Sequence, residues 1–211
     1  MRALITTVAA IWIGCTAAAQ EAPTPVEAAA RIERDANASY RYRAAIASLL
    51  QLKPGMVAAE AGATSGYIAR AMAAQLTSGR VIASTFDPAM AAYMRQRAAA
   101  DAVQNFTVVT AQPGSTALDP ASVDAIAIVD AFGTAPRQAD LMASLAAALK
   151  PGGALLVVDL PQESVGGKVT GIEADDVVAL AAAAGLAREA ESGIVPGHYA
   201  IRFRKTASRQ P

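Results

Sequence analysis

"VAAEAGATSGYIARAMA", residues 57–73, decides the fold, because it joins an apolar run, an acid, a glycine loop and the start of a helix. Glycines accept a positive φ and let a ligand approach the backbone, while the N-terminus of the following helix offers free N–H groups. Gly62 and Gly66 hold the expected places, and Thr64 stands where such a loop usually carries a third glycine. The stretch therefore predicts a nucleotide-binding loop with one alteration.

On both sides of this loop, short apolar runs alternate with segments of helical periodicity. The predicted strands cover 56–61, 81–86, 106–110, 123–129 and 154–160, and the predicted helices cover 67–76, 88–102, 138–149 and 173–184. Residues 186–193 and the alternating "HYAIRFRK" are joined by "VPG", which favours an antiparallel pair of strands. We predict a doubly wound, Rossmann-like α/β fold with a seven-stranded, mostly parallel sheet whose last strand is antiparallel.

The length and charge of the chain limit its class. The chain has 211 residues, which suits one domain, and we expect that domain to span 28–211 and to begin with a helix over 28–52. Lys+Arg and Asp+Glu are 18 each, so a balanced surface gives no electrostatic reason to expect nucleic acid as a partner. The expected partner is a small-molecule substrate.

The first twenty residues have the pattern of an export signal. Arg2 precedes an uncharged apolar run from Ala3 to Gly14, and small residues follow at 17–19. We expect a signal peptide over 1–19, a Pro-containing tether over 20–27, and a periplasmic or envelope location. A retained membrane-anchoring helix is the alternative. "WIGC" also resembles a lipoprotein box that would place a lipid on Cys15, although Trp12 fits that box poorly.

The chain has a single cysteine, Cys15, and a single histidine, His198. The folded domain then contains no cysteine for a disulfide, a thiol nucleophile or a metal site, and one histidine leaves little for a transition metal. We expect no metal. His198 opens the last predicted strand, where a solvated or hydrogen-bonded edge residue is favoured over a catalytic base.

Four stretches together resemble a known family. "LKPGMVAAEAGATSGY", "VIASTFDPAM", "SVDAIAIVDAF" and "ALKPGGALLVVD" follow one another in the order of the first, second, fourth and fifth strands of class I S-adenosylmethionine (SAM) dependent methyltransferases. "ERDA" in the N-terminal helix, the export signal and the final antiparallel strands resemble a bacterial exported subgroup. The resemblance implies methyl transfer from SAM, with S-adenosylhomocysteine as the product, to an acceptor that it does not identify.

The resemblance also implies a set of cofactor-binding residues. Glu60 and the loop at 62–66 would meet the methionine end and the ribose, the end of the second strand would bind the ribose hydroxyls, and Gln112 would lie near the adenine. The full set is Glu60, Gly62, Ala63, Thr64, Ser65, Gly66, Thr85, Phe86, Asp87 and Gln112. Asp130, after the fourth strand, is the expected catalytic residue beside the methyl acceptor, and its alternative role is to cap the next turn.

The cofactor pocket departs from the family pattern at the second strand. Thr85 stands where the family has an acid that binds both ribose hydroxyls, and one neutral hydroxyl replaces a carboxylate there. Asp87 is the candidate replacement for that acid, but Asp87-Pro88 is also a favourable helix start, and the helix-cap role is the favoured interpretation. These changes keep open a non-catalytic, ligand-binding or partner-binding role in the envelope.

A nicotinamide dehydrogenase is a competing interpretation of the glycine loop. The short-chain type needs a tyrosine followed four residues later by a lysine. Tyr67 and Tyr93 are followed at that distance by Ala71 and Arg97, so the sequence disfavours this class.

Overall fold

The computed structural model describes residues 22–34, 36–165 and 168–206, without the side chains of 164–169. The predicted signal peptide and the candidate lipidation site at Cys15 lie outside these residues. Within them, no helix is long and apolar enough to cross a membrane.

A sheet of seven strands forms the centre of the domain. The strands of the protein are β1 (Val57–Ala61), β2 (Arg80–Thr85), β3 (Phe106–Thr110), β4 (Val123–Val129), β5 (Leu149–Asp159), β6 (Glu163–Val165), β7 (Lys168–Thr170), β8 (Leu186–Ser192) and β9 (Tyr199–Lys205). The central sheet has the order β3-β2-β1-β4-β5-β9-β8. Strands β1 to β5 pair in parallel, and β9 is antiparallel to both of its neighbours. The predicted fold is confirmed.

The strand boundaries follow the sequence prediction with two differences. Strand β5 begins at Leu149, so the "KPGG" turn expected before it lies within the strand. Strands β6 and β7 form a separate antiparallel hairpin that the hydrophobic pattern did not predict.

The helices are α1 (Pro25–Ile32), α2 (Ala38–Arg41), α3 (Arg43–Leu49), α4 (Tyr67–Gln75), α5 (Pro88–Ala100), α6 (Gln138–Ala148) and α7 (Ala174–Ala183). The prediction of one helix over 28–52 is wrong, because the chain leaves the helix at Glu33 and starts again where the Asn37 side chain accepts from Tyr40 N. Helix α1 also begins inside the expected tether. Thr24 and Glu27 form a capping box, with Pro25 in the first turn.

Each face of the sheet is covered by helices. Helices α3, α4 and α5 contribute to one buried cluster, and α6 and α7 contribute to the other. Successive residues of β1 alternate between them, since Ala58 belongs to the first cluster while Ala59 and Ala61 belong to the second. The side chain of Glu60 is therefore directed toward the face that α4 covers.

Candidate functional site

A cavity of about 440 Å³ lies beyond the carboxyl ends of β1, β2 and β4. The strand order of the sheet reverses between β1 and β4, and parallel sheets bind ligands at such a switch point. The cavity is lined by Pro23, Pro25, Ala28, Ile32, Gly62, Ala63, Thr64, Thr85, Phe86, Asp87, Ala89, Met90, Asp130, Ala131, Thr134, Ala135 and Pro136. Its volume falls in the range of small-molecule sites.

The two glycines of the loop after β1 are required by the backbone. Gly62 has φ +66°, and a Cβ there would lie 2.8 Å from the Cβ of Ala131. Gly66 has φ +74°, and a Cβ there would lie 2.8 Å from the sulfur of Met94. Thr64 is not among the residues with positive φ, so the backbone places no demand for a third glycine at this position. Its side chain is exposed and lines the cavity.

Glu60 lies behind the loop rather than in the lining of the cavity. Its side chain is 3% exposed, and Oε2 accepts a hydrogen bond of 2.8 Å from Ala69 N in the first turn of α4. Burial raises the pKa of the Glu60 carboxyl to about 7, against the lowering effects of the Ala69 hydrogen bond and of Arg70. The geometry gives this carboxyl a part in fixing α4 to the strand.

Two further loop residues expected at the cofactor are turned away from the cavity. Ser65 is fully buried, and its carbonyl accepts a 2.8 Å hydrogen bond from Nη1 of Arg70. Nη2 of Arg70 pairs with Glu33 at the end of α1, at 2.5 Å. Gly66 caps α4 and packs against α5. Arg70 thus ties the loop to the N-terminal helix.

The end of β2 brings Thr85, Phe86 and Asp87 into the lining together. Asp87 caps α5, since its Oδ1 accepts from Ala89 N at 2.8 Å and from Met90 N at 3.3 Å. Thr85 is 4% exposed, and its Oγ1 accepts from Asp87 N at 3.3 Å. Both capping bonds use the same oxygen of Asp87, so this residue takes the cap role expected from sequence and still faces the cavity.

Gln112, expected near the adenine, is exposed and lies outside the lining. The cavity therefore brings together six of the expected cofactor residues, Gly62, Ala63, Thr64, Thr85, Phe86 and Asp87, along with the expected catalytic residue Asp130. Glu60, Ser65, Gly66 and Gln112 are not in its wall.

Asp130 follows β4 directly and has φ +53°, in the left-handed region that aspartate adopts more readily than most residues. Its Oδ1 lies 3.0 Å from Nε2 of His198, and this buried oxygen has no other partner among the described residues. Nε2 also lies 3.4 Å from Oγ of Ser39, which in turn bonds to the Tyr67 hydroxyl. Asp130 and His198 are therefore an ion pair at the edge of the cavity.

The surroundings of His198 favour its protonated form. Nδ1 lies 2.9 Å from the carbonyl oxygen of Pro196, which only accepts, and Nε2 faces the carboxylate. The hydrogen bond with Asp130, the contact with Pro196 and the charge of Asp159 raise the pKa of His198, while burial lowers it. The prediction that His198 is a hydrogen-bonded residue fits this geometry, but the sequence did not indicate its pairing with Asp130.

Two segments of the wall were missed from the sequence. One is α1 together with the residues just before it, and it contributes Pro23, Pro25, Ala28 and Ile32. Thr24 and Glu27 gave a capping signal for that helix, but not its position over the cavity. The other is 131–136, where Gly133 N donates a 2.8 Å hydrogen bond to Oδ2 of Asp159 at the end of β5. No group of three or more His, Cys, Asp or Glu residues suited to a metal occurs in the described part of the chain.

Comparison with known proteins identifies the class of fold. Residues 58–153 match the model of a family described as a methyltransferase domain. A SAM-dependent methyltransferase from Aquifex aeolicus superposes with a TM-score of 0.74 at 16% identity, over 88% of this chain and 100% of that chain. No curated protein sequence matches the chain.

Two further structures are similar. A geranyl diphosphate methyltransferase in complex with GPP and sinefungin has a TM-score of 0.66 at 15% identity, over 79% of each chain. The cyclase SpnF has a TM-score of 0.70 at 14% identity, over 80% of this chain and 81% of that chain. The fold is that of the class I methyltransferases, and the presence of a cyclase among the neighbours means that the fold by itself does not fix the reaction.

Proposed function

We propose that this protein is a SAM-dependent methyltransferase that binds SAM and its product in the cavity beside the glycine loop. The proposal rests on one observation: the glycine loop, the end of β2 and Asp130 line the same cavity. The segment that matches the methyltransferase-domain family, 58–153, contains all of these parts. When bound, the cofactor supplies an electrophilic methyl group on a positively charged sulfur.

The residues of the cavity suit such a cofactor in chemistry and in size. The only ionisable side chains in the described lining, Asp87 and Asp130, are acidic, which favours a cationic ligand. Phe86 and Met90 supply apolar surface of the kind that holds an adenine ring. Asp87 has its Oδ2 free of the helix cap, so it is the carboxylate best placed to bind ribose hydroxyls.

A non-catalytic, methyltransferase-like ligand-binding or partner-binding module is the second candidate function. Thr85 supports it, because a threonine hydroxyl that already accepts from Asp87 N cannot replace a carboxylate bound to two ribose hydroxyls. Loss of two charge-assisted hydrogen bonds costs on the order of 3 kcal/mol, enough to weaken a micromolar cofactor to high-micromolar or millimolar binding. The two candidates therefore differ in cofactor affinity.

Isothermal calorimetry with SAM and with S-adenosylhomocysteine separates the candidates. We expect saturable binding by the full-length chain, and loss of binding in Thr64→Trp, which places a large ring in the cavity from an exposed position. Thr77→Trp is the matched control, since Thr77 is also exposed and lies outside the lining. Absence of heat at millimolar ligand would reject the enzyme, and equal binding by both variants would reject this cavity as the site.

Export to the cell envelope remains part of the proposal. It rests on the apolar run after Arg2 and the small residues at 17–19, and the lipidated form at Cys15 is its variant. Cell fractionation, with mass spectrometry of the mature N-terminus, tests it. A chain that keeps residues 1–19 in the cytoplasm would contradict the proposal, and a lipid mass at Cys15 would select the lipoprotein form.

A further inference from the structure

His198 and Asp130 differ in their access to the cavity. The side chain of His198 is 8% exposed and that of Asp130 is 28% exposed. Asp130 contributes to the lining of the cavity and His198 does not. The imidazole therefore lies behind the carboxylate, at 3.0 Å, on the side away from the cavity.

The imidazole is fixed by more than its contact with Asp130. The Pro196 carbonyl lies at Nδ1, Ser39 Oγ lies near Nε2, and His198 N donates to the carbonyl of Val195 at 3.1 Å. Ser39 is fully buried, whereas the contact of Nδ1 with Pro196 is exposed. Asp159 is the other carboxylate whose charge acts on His198. A buried imidazole with fixed neighbours holds Asp130 in one orientation.

The wall of the cavity is mostly apolar. Ala28, Ile32, Ala131, Ala135 and Pro136 line the cavity, and the described lining contains no basic side chain. The His198 imidazole lies behind Asp130 and outside the lining, so a carboxylate or phosphate group entering this space would face the Asp130 carboxylate with no basic side chain of the lining to bind it. A hydroxyl or an amine would instead find a carboxylate that accepts its hydrogen.

We propose that Asp130 and His198 form the acceptor centre of the cavity, which takes a mainly apolar molecule bearing an O–H or N–H group and rejects anionic acceptors. This proposal rests on the proposed function and names its substrate class. Asp130 is the catalytic residue that meets the acceptor hydrogen, and His198 is a positioning residue. The acceptor oxygen or nitrogen bonds to the methyl carbon, the carbon–sulfur bond breaks with its electron pair left on sulfur, and the acceptor proton passes to Asp130 and then to solvent.

The single histidine of the chain makes the centre directly observable. In the untagged full-length protein, the imidazole signals in NMR come from His198 alone. We would titrate benzylamine, benzyl alcohol and benzoate, which share an apolar ring and differ in the polar group, with and without S-adenosylhomocysteine. Asp130→Asn keeps the histidine reporter, and Asp101→Asn is the control that removes an exposed acid paired with Arg97 outside the cavity.

We expect benzylamine and benzyl alcohol to shift the His198 signals saturably and benzoate to leave them unchanged. Asp130→Asn should weaken the amine by about tenfold and lower the pKa of His198, while Asp101→Asn should change neither. Calorimetry should show that Asp130→Asn and His198→Asn still bind S-adenosylhomocysteine.

The proposal is overturned if benzoate binds as tightly as benzylamine, if none of the three probes binds at millimolar concentration, or if Asp130→Asn binds the amine as the wild type does. The comparison of probes on the wild type holds even if a variant fails to fold. S-adenosylhomocysteine could fail to bind while the site still prefers benzylamine and benzyl alcohol to benzoate. That result would reject the methyltransferase function and leave a site selective for molecules with an O–H or N–H group.

Discussion

Replacing Glu60 by Gln should make the protein's stability less dependent on pH. Glu60 is buried between β1 and α4, and burial raises the pKa of its carboxyl from 4.5 to about 7. A group whose pKa is raised by folding contributes stability that is complete below its unfolded pKa and is lost as pH rises through its folded pKa. The wild type should therefore lose stability between pH 4.5 and pH 7 through this residue.

The magnitude follows from the same two values. The interval from 4.5 to about 7, at about 1.36 kcal/mol for each pH unit, corresponds to roughly 3 kcal/mol. Glutamine at this position keeps an oxygen that can accept from Ala69 N, but it has no proton to lose in this range. The free energy of unfolding of Glu60→Gln, relative to wild type, should rise by roughly 3 kcal/mol across the interval.

Urea unfolding at a series of pH values from about 3.5 to about 8, roughly one unit beyond each end of the transition, measures this difference. His198 also titrates with a raised pKa, but it is present in both proteins and its effect cancels in the comparison. Asp119→Asn, at an exposed acid, controls for the loss of one negative charge. A difference between Glu60→Gln and wild type that stays constant with pH would refute the reasoning that burial of Glu60 outweighs the Ala69 hydrogen bond and the charge of Arg70.

Three further predictions concern the cavity. Thr85→Asp should tighten SAM about tenfold in calorimetry by recovering about 1.4 kcal/mol of hydrogen bonding, and unchanged affinity would mean that Thr85 is not the ribose position. Asp87→Ala should lose about 1 kcal/mol of stability, because it removes the helix cap. Asp87→Asn should keep the cap and weaken only the binding of SAM. Unchanged SAM affinity in Asp87→Asn would limit the role of this residue to capping. Gly62→Ala should lower the thermal midpoint of unfolding more than Gly185→Ala. Both glycines have positive φ, but only an added Cβ at Gly62 would clash with Ala131. Equal losses in the two variants would exclude the steric contribution.

Much of the fold was predictable because its signals are local. Periodicity identified the strands of the central sheet, and the turn before β9 indicated the antiparallel pair. The division of the N-terminal region into α1, α2 and α3 was missed, although Thr24, Glu27 and Asn37 carry the capping signals that produce it. A long run of alanine-rich helical periodicity hid those signals, since periodicity reports the apolar face and not where the backbone stops.

The candidate site was predictable where it follows a strand end. Thr85 and Asp87 were expected at the edge where neighbouring parallel strands end, and both line the cavity there. The orientation of the Glu60 side chain could also have been predicted, because the alternation of side chains along β1 directs it toward the face covered by α4. Gln112 lies outside the lining, and the path of a loop after a strand end is not set by periodicity.

The sequence by itself determined the class of fold, the glycine loop and the acids at the strand ends, because each depends on residues close together in the chain. Only the tertiary structure decided that α1 forms part of the cavity wall and that His198 stands behind Asp130. Those contacts join positions far apart in sequence, through the packing of β9 against β5 and of the N-terminal helices against the sheet. Contacts between such distant positions leave no local pattern in the sequence. Here they place His198, the single histidine of the chain, beside Asp130, the expected catalytic acid.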